Sequence, residues 1–373
     1  MGDQLNFRQA KSQDIDDYLS LHRAVYNSDP NKINRKWFNW MYSSVSILDN
    51  IPVVLAESED RIVGAFGYWG LQFQVSGKEF IGIKPVEVMI HPDYRGMNTF
   101  NRIAEAGREK IYPDNNWFEF GNPSDDTVEV WTRLQSWKII NKRQRKFRTQ
   151  NPSFYLNRSS SIVRLPMRIL DIPFRIYYLI KYRQINTNFS YEVSELHEPP
   201  GDTLEDLYKE SIPDNKLHVI RDEDFYNSRL DAPHKEYKTY LAGHNSSSIA
   251  AIVVSKDENQ NTVNIVEALP IGEKDDRSVQ ALQEILKTIV AKNRTATAIQ
   301  WSPALPESFY SAFGFHISEY MESIATSDRI PFETSGLIPN NVIWGVRTSN
   351  IAQIPIDMLD YDNWYMSGIE QEI

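Results

Sequence analysis

The 373-residue sequence contains no cysteine. A disulfide scaffold, a thiolate nucleophile, an iron–sulfur cluster and a cysteine-bound zinc are thereby excluded, and a reducing compartment is the expectation. Histidine is scarce. The seven, at positions 22, 91, 197, 218, 234, 244 and 316, form no i, i+4 pair and no H-E-x-x-H, so no metal is expected. Long apolar runs are lacking too. The nearest approach to a membrane span, residues 162–182, is broken by Arg164, Arg168, Asp171 and Arg175, whereas a span needs about 18 uncharged residues. The opening MGDQLNFRQAKSQD carries no apolar stretch of the kind a secretory signal requires, which predicts a cytoplasmic protein. The G-x-G-x-x-G, Walker A and G-x-S-x-G patterns are absent as well. Four Asn-x-Ser/Thr triplets read as chance matches in a chain without a signal.

What is present is an ordinary globular composition, 41% hydrophobic and 24% charged, in a chain long enough for two compact domains. Forty Lys and Arg against fifty Asp and Glu give a net charge of -10, which excludes a globally basic nucleic-acid binder, so no DNA partner is expected. The charge is unevenly spread. Between Lys138 and Arg183 stand twelve basic residues and one acid, Asp171, so this segment is about +11 and the rest about -21. Pro152, Pro166 and Pro173 punctuate it. The expected organisation is a domain over residues 1–150, a basic connector over 151–190 and a second domain over 191–373. The connector, with Phe174, Ile176, Tyr177 and Leu179 mixed with Arg168, Arg175, Lys181 and Arg183, either packs between the two acidic bodies, touches an anionic membrane surface peripherally or contacts a phosphate-bearing substrate.

Pattern places the elements. Leu5 to Gln9, Pro52 to Ala56, Ile62 to Trp69, Leu71 to Val75, Phe80 to Ile83 and Val86 to Ile90 read as strands. Ile15, Tyr18, Leu19, Leu21 and Val25 make one helical stripe; Phe100, Ile103, Ala104, Gly107 and Ile111 make another. Trp117 to Phe120 is a strand, followed by a turn at Asn122 to Asp125 and a short helix over Thr127 to Leu134. A similar order follows the connector: strands at Tyr237 to Ala242, Ile249 to Ser255 and Thr262 to Leu269, a helical stripe from Val279 to Ile289, a strand at Ala296 to Trp301 and a helix at Glu307 to Phe313. Two copies of one α/β unit are expected.

The strongest local signal is the passage from Val86 to Phe100. A strand enters the loop His91-Pro92-Asp93-Tyr94-Arg95-Gly96 and a helix follows, so unpaired backbone N–H groups and the positive end of a helix dipole meet at Gly96 to Thr99. Such a place suits phosphate, and it also suits a plain strand-loop-helix connection turning on a glycine.

Pro92-Asp93-Tyr94-Arg95-Gly96-Met97-Asn98 resembles the pyrophosphate loop of the GNAT superfamily of acyl-CoA-dependent N-acyltransferases. The resemblance covers roughly residues 5–148. Phe309-Tyr310-Ser311-Ala312-Phe313-Gly314-Phe315 is similar to the family's late helix, so the second half looks like a divergent copy. The fold implied is α/β (α+β): two tandem GNAT-like domains, each a mixed, mostly antiparallel twisted sheet flanked by helices. Acetyl-CoA would lie where two strands splay. Its pantetheine would bond the backbone of Val88, Met89 and Ile90, its pyrophosphate would rest on Arg95, Gly96, Met97, Asn98 and Thr99, and Asn122 would stand beside it. Two departures are evident. Asn98 occupies the place of a second small residue, and Trp131 and Thr132 stand where a tyrosine acid is usual. The second half's loop, Pro270 to Arg277, is acidic and lacks the pattern, so one cofactor site is expected.

Amide formation needs a base for the ammonium proton. Glu87, on the strand before the loop, is the leading candidate, with His91 as the alternative; strand alternation sets Glu87 on the face of Met89, opposite Val86, Val88 and Ile90. The implied function is N-acetyl transfer to a primary amine of a small molecule, amino sugar or peptide. Two other readings stay open: a Fem-type aminoacyltransferase drawing on aminoacyl-tRNA, and a catalytically inactive GNAT-like binding module.

Overall fold

The computed structural model describes residues 5–59, 61–96, 98–112, 117–124, 127–143, 146–150, 172, 176, 191–244, 247–257, 261–271, 275–296, 298–301, 309, 313, 315–317, 342–348, 354–367 and 369–370. Met97 lies outside the described residues. So do the basic connector, except Ile172 and Ile176, and the helix expected at Glu307 to Phe313, except Phe309 and Phe313.

The first half runs β1 (Asn6–Gln9), α1 (Ile15–Tyr26), α2 (Arg35–Asn39), β2 (Val53–Ser58), β3 (Arg61–Val75), β4 (Lys78–Ile90), α3 (Thr99–Lys110), β5 (Trp117–Gly121), α4 (Val128–Leu134), β6 (Lys138–Arg143) and β7 (Lys146–Thr149). Then come β8 (Glu192–Leu196), α5 (Gly201–Lys209), β9 (Leu217–Val219), α6 (Glu223–Leu230), β10 (Tyr237–His244), β11 (Ser247–Asp257), β12 (Thr262–Leu269), α7 (Asp276–Lys292), β13 (Ala298–Trp301), β14 (His316–Ile317), β15 (Val342–Thr348) and β16 (Trp364–Tyr365).

The architecture is mixed α/β, with two mostly antiparallel sheets flanked by helices. Among the described residues the first sheet is ordered β1-β2-β3-β4-β5-β15-β6, with β9 against β3 and β16 against β9; the second is β14-β7-β13-β12-β11-β10-β8. In each sheet an antiparallel hairpin leads through a helix to a parallel neighbour: β3-β4-α3-β5 in the first, β11-β12-α7-β13 in the second. The sheets also exchange strands. β15 enters the first sheet between β5 and β6, while β7 joins the second beside β13.

The helical stripes form for the reasons their spacing gives. On α1, Ile15, Tyr18, Leu19, Leu21 and His22 are buried, and the helix stops at Asn27, whose left-handed φ of 51° lets its N–H reach the Arg23 carbonyl. On α3, Ile103 and Ala104 are buried against β2 and β3; a fully buried isoleucine contributes about 1.5–3 kcal/mol. Between α2 and β2 a wider, π-type turn over Trp40–Ser44 buries Trp40, Met41 and Tyr42. Those rings enter a core common to both halves, in which Tyr18, Trp37 and Trp69 meet Leu204, Tyr226, Val253 and Leu269.

Candidate active site

The site arises where β4 and β5 part. Their parallel pairing ends at the rung Ile83↔Glu119, yet β4 continues to Ile90 and β5 to Gly121. Pro85, two residues past that rung, has no N–H to donate to a neighbour. The gap opens into a cavity of about 870 Å³, lined on the β4 side by Pro85, Glu87, Val88 and Ile90, across it by Gly121, Asn122 and Pro123, and on the helical side by Thr99, Phe100, Asn101, Val130, Trp131 and Leu134.

A bulge shapes β4 at this point. Ala65 faces Met89 and Gly67 faces Val86, so the one residue Phe66 opposes both Glu87 and Val88. Glu87 takes a left-handed φ of 47°, and a bulge leaves its extra residue outside the ladder. The alternation expected along β4 is therefore reset. Val86 and Met89 enter the same core, and Val88 packs against another.

Three groups from the first helix region complete the arrangement. His22 Nε2 lies 3.0 Å from Glu87 Oε2, and its Nδ1 lies 2.9 Å from Ser28 Oγ. The His22 ring is 6% exposed and the Glu87 side chain 19%, so a buried imidazole pins a carboxylate that still reaches the cavity. The Tyr26 hydroxyl donates to the Val88 carbonyl at 2.7 Å. Desolvation of that hydroxyl, assisted by the Glu87 charge, pushes its pKa up to about 12, so it stays protonated at neutral pH.

At the far end of β4 the loop turns on Gly96, φ 81°, and Asn98, φ 55°. Asparagine is among the few residues that accept this region readily, so the departure at position 98 keeps the backbone path. Asn98 Oδ1 accepts from Asn101 Nδ2 at 2.8 Å, and Thr99 Oγ1 donates to the Tyr94 carbonyl at 2.9 Å. The first-turn residues Thr99, Phe100 and Asn101 of α3, whose N–H groups have no intrahelical acceptor, line the cavity together with Arg95, whose Nε donates to the Ile90 carbonyl at 3.2 Å. Backbone donors, a helix dipole and a guanidinium converge there, an arrangement suited to an anion.

Of the residues singled out in the sequence, Glu87, Val88, Ile90, Arg95, Gly96, Asn98, Thr99 and Asn122 line this cavity. Met89 is fully buried in the shared core and is not among the lining residues. His91 is outside the lining; its ring sits beside Asp93 and Tyr94. His22, Tyr26 and Trp137 were not singled out as site residues in the sequence, and Trp131 stood out there only as a departure, in the place where a tyrosine acid is usual. The one available hint was that His22 and Tyr26 stand four apart on a helix, where their rings do meet, 5.0 Å between centroids.

Comparison with known proteins fits this geometry. A family model described as an acetyltransferase (GNAT) domain matches residues 6–129. In structure the chain is similar to a GCN5-related N-acetyltransferase from Anabaena variabilis, at 10% identity and TM-score 0.55 over 92% of this chain and 72% of that one. It is similar to another from Kribbella flavida, at 12% identity and TM-score 0.53 over 92% and 71%. Saccharomyces cerevisiae N-myristoyltransferase with bound myristoyl-CoA also resembles it, at 11% identity and TM-score 0.53 over 84% and 76%. No curated protein matches in sequence. The likenesses establish a shared fold.

Proposed function

From the GNAT acetyltransferase domain in residues 6–129, we propose that the protein is an acyl-CoA-dependent N-acyltransferase that moves an acetyl group from acetyl-CoA to a primary amine of a small molecule, amino sugar or peptide. The observation that carries this reading is the continuity of the cavity from the first turn of α3 to the Glu87 carboxylate. The phosphates would meet the α3 N–H groups and Arg95. The pantetheine arm would follow the Val88 to Ile90 backbone, with Asn122 opposite. The Val88 carbonyl has a second lone pair for it beside the Tyr26 hydroxyl.

In the reaction, the amine nitrogen attacks the thioester carbonyl carbon; the C–N bond forms, the C–S bond breaks and the sulfur leaves as thiolate. Glu87 takes the proton that the ammonium must lose before its nitrogen can attack, and the second proton, released from nitrogen as the amide forms, neutralises the departing thiolate. His22 acts on Glu87 as a positioning residue, holding the carboxylate toward the cavity, with Ser28 fixing the imidazole in turn. Backbone N–H groups freed by the bulge meet the developing oxyanion.

Calorimetric titration with acetyl-CoA tests the reading. A Cβ at Gly96 meets nothing within 4 Å, but the φ of 81° there strains any L side chain, so Gly96→Glu, which adds a carboxylate at the anion end, is compared with Gly96→Ala, which adds the strain without the charge. We expect saturable binding near one site per chain, weaker by roughly tenfold or more in Gly96→Glu than in Gly96→Ala. Absence of binding by the unaltered protein would sink the proposal.

A further inference from the structure

The fold alone does not fix the length of the acyl group, since one structural neighbour holds myristoyl-CoA. In this chain the residues that line the cavity near the last β4–β5 rung include Pro85, Gly121 and Trp137. Resting on the acyl-CoA reading above, we propose that Trp137 is the acyl-length gauge of this site, limiting it to short acyl thioesters.

Three observations carry the proposal. First, the indole packs against two glycines that face each other across neighbouring strands, Gly121 of β5 and Gly345 of β15. A Cβ at Gly345 would stand 2.8 Å from the indole Cε3, and one at Gly121 3.1 Å from Cη2. A side chain at Gly345 would force the ring to move, and one at Gly121 would crowd it. Second, the ring is held fast. Its Nε1 donates to Glu119 Oε2 at 2.8 Å, and Glu119, fully buried, also accepts from Arg108 Nε at 2.6 Å, Tyr112 Oη at 2.9 Å and Arg347 Nη1 at 3.3 Å. Trp131 packs beside it, 4.7 Å between ring centroids, and Trp137 is only 4% exposed. Third, the anion-binding loop follows Ile90, seven residues along β4 from the last rung at Ile83. A thioester with its phosphates at that loop and its arm along β4 therefore aims its acyl group at the indole. An acetyl group stops short of it, whereas each added methylene must displace a ring anchored by a buried carboxylate.

The test measures dissociation constants of CoA, acetyl-CoA and octanoyl-CoA for the full chain, as found and as Trp137→Ala. We expect the unaltered protein to bind octanoyl-CoA at least about tenfold more weakly than acetyl-CoA. Trp137→Ala should erase that gap while its affinity for CoA itself stays within about twofold. Equal binding of the two thioesters by the unaltered protein, or an undiminished gap in the variant, overturns the gauge. Failure of the unaltered protein to bind CoA at all overturns instead the acyl-CoA reading on which the gauge rests. Should thermal melts find Trp137→Ala unfolded, Trp137→Leu, which keeps apolar bulk but shortens its reach, carries the same comparison.

Discussion

At the scale of single residues, Glu87 and His22 divide the work of one proton acceptor. Glu87 lines the cavity and His22 does not, so their substitutions should differ in kind. With an amine found by screening, Glu87→Gln keeps the shape but cannot accept the proton; kcat should fall by about 10²–10⁴ with acetyl-CoA affinity unchanged. His22→Gln should lower kcat by a smaller factor and leave the KM for acetyl-CoA where it was, because it only releases the carboxylate from its 3.0 Å tether. A raised KM with normal kcat would assign His22 to packing alone. Neither the tether nor the aim of Glu87 could be read in advance: positions 22 and 87 lie on separate elements, and only the folded sheet brings them together.

At the scale of elements, the depth at which α3 sits governs the anion end of the cavity. Gly107 approaches β3 so closely that a Cβ would fall 1.9 Å from the Tyr68 hydroxyl, and Tyr68 is itself buried at 1%. Gly107→Ala must lift the helix or push the phenol aside, at about 1–3 kcal/mol. A lowered urea midpoint together with weaker acetyl-CoA binding is expected; a lowered midpoint with undisturbed binding would mean that the N-terminal turn stays in place. Such local elements were largely legible. The α3 stripe, the strands around it and the glycine loop were visible because 3.6-residue and two-residue periodicities need only neighbouring residues. The bulge was not, since one extra residue against Phe66 breaks the alternation from which faces are read. Nor was the turn at Trp40–Ser44, whose aromatics look like core from any conformation. The pairing of Gly345 with Gly121 depends on chain segments with no local signal for one another.

At the scale of the whole molecule, a buried ionic knot ties the halves. Arg221 pairs with Glu267 of β12 and with Glu370, while Ser367 Oγ bonds both carboxylates at 3.1 Å. Lys84 of β4 donates to the Glu370 carbonyl at 2.9 Å, and Tyr208 and Tyr365 lie against the guanidinium. Burial, with the Glu370 charge and against the pull of Arg221, pushes Glu267 up to about 7 from its ordinary 4.5. A carboxyl whose folded pKa is raised binds its proton more tightly folded than unfolded. Its contribution to stability is complete below about pH 4.5 and is lost as the pH climbs toward about 7. Urea midpoints should carry this decline over that window, and Glu267→Gln should remove it; an unchanged slope in the variant would assign the decline to other groups. The inserted strand has a consequence of its own. Roughly 220 residues separate Gly121 from Val342, on the order of 10–40 s of ribosomal synthesis, during which β5 has yet to meet its β15 neighbour. The segment that matches the acetyltransferase family is thus made first and finished last, and a gene fragment confined to it would encode a sheet still waiting for its neighbour.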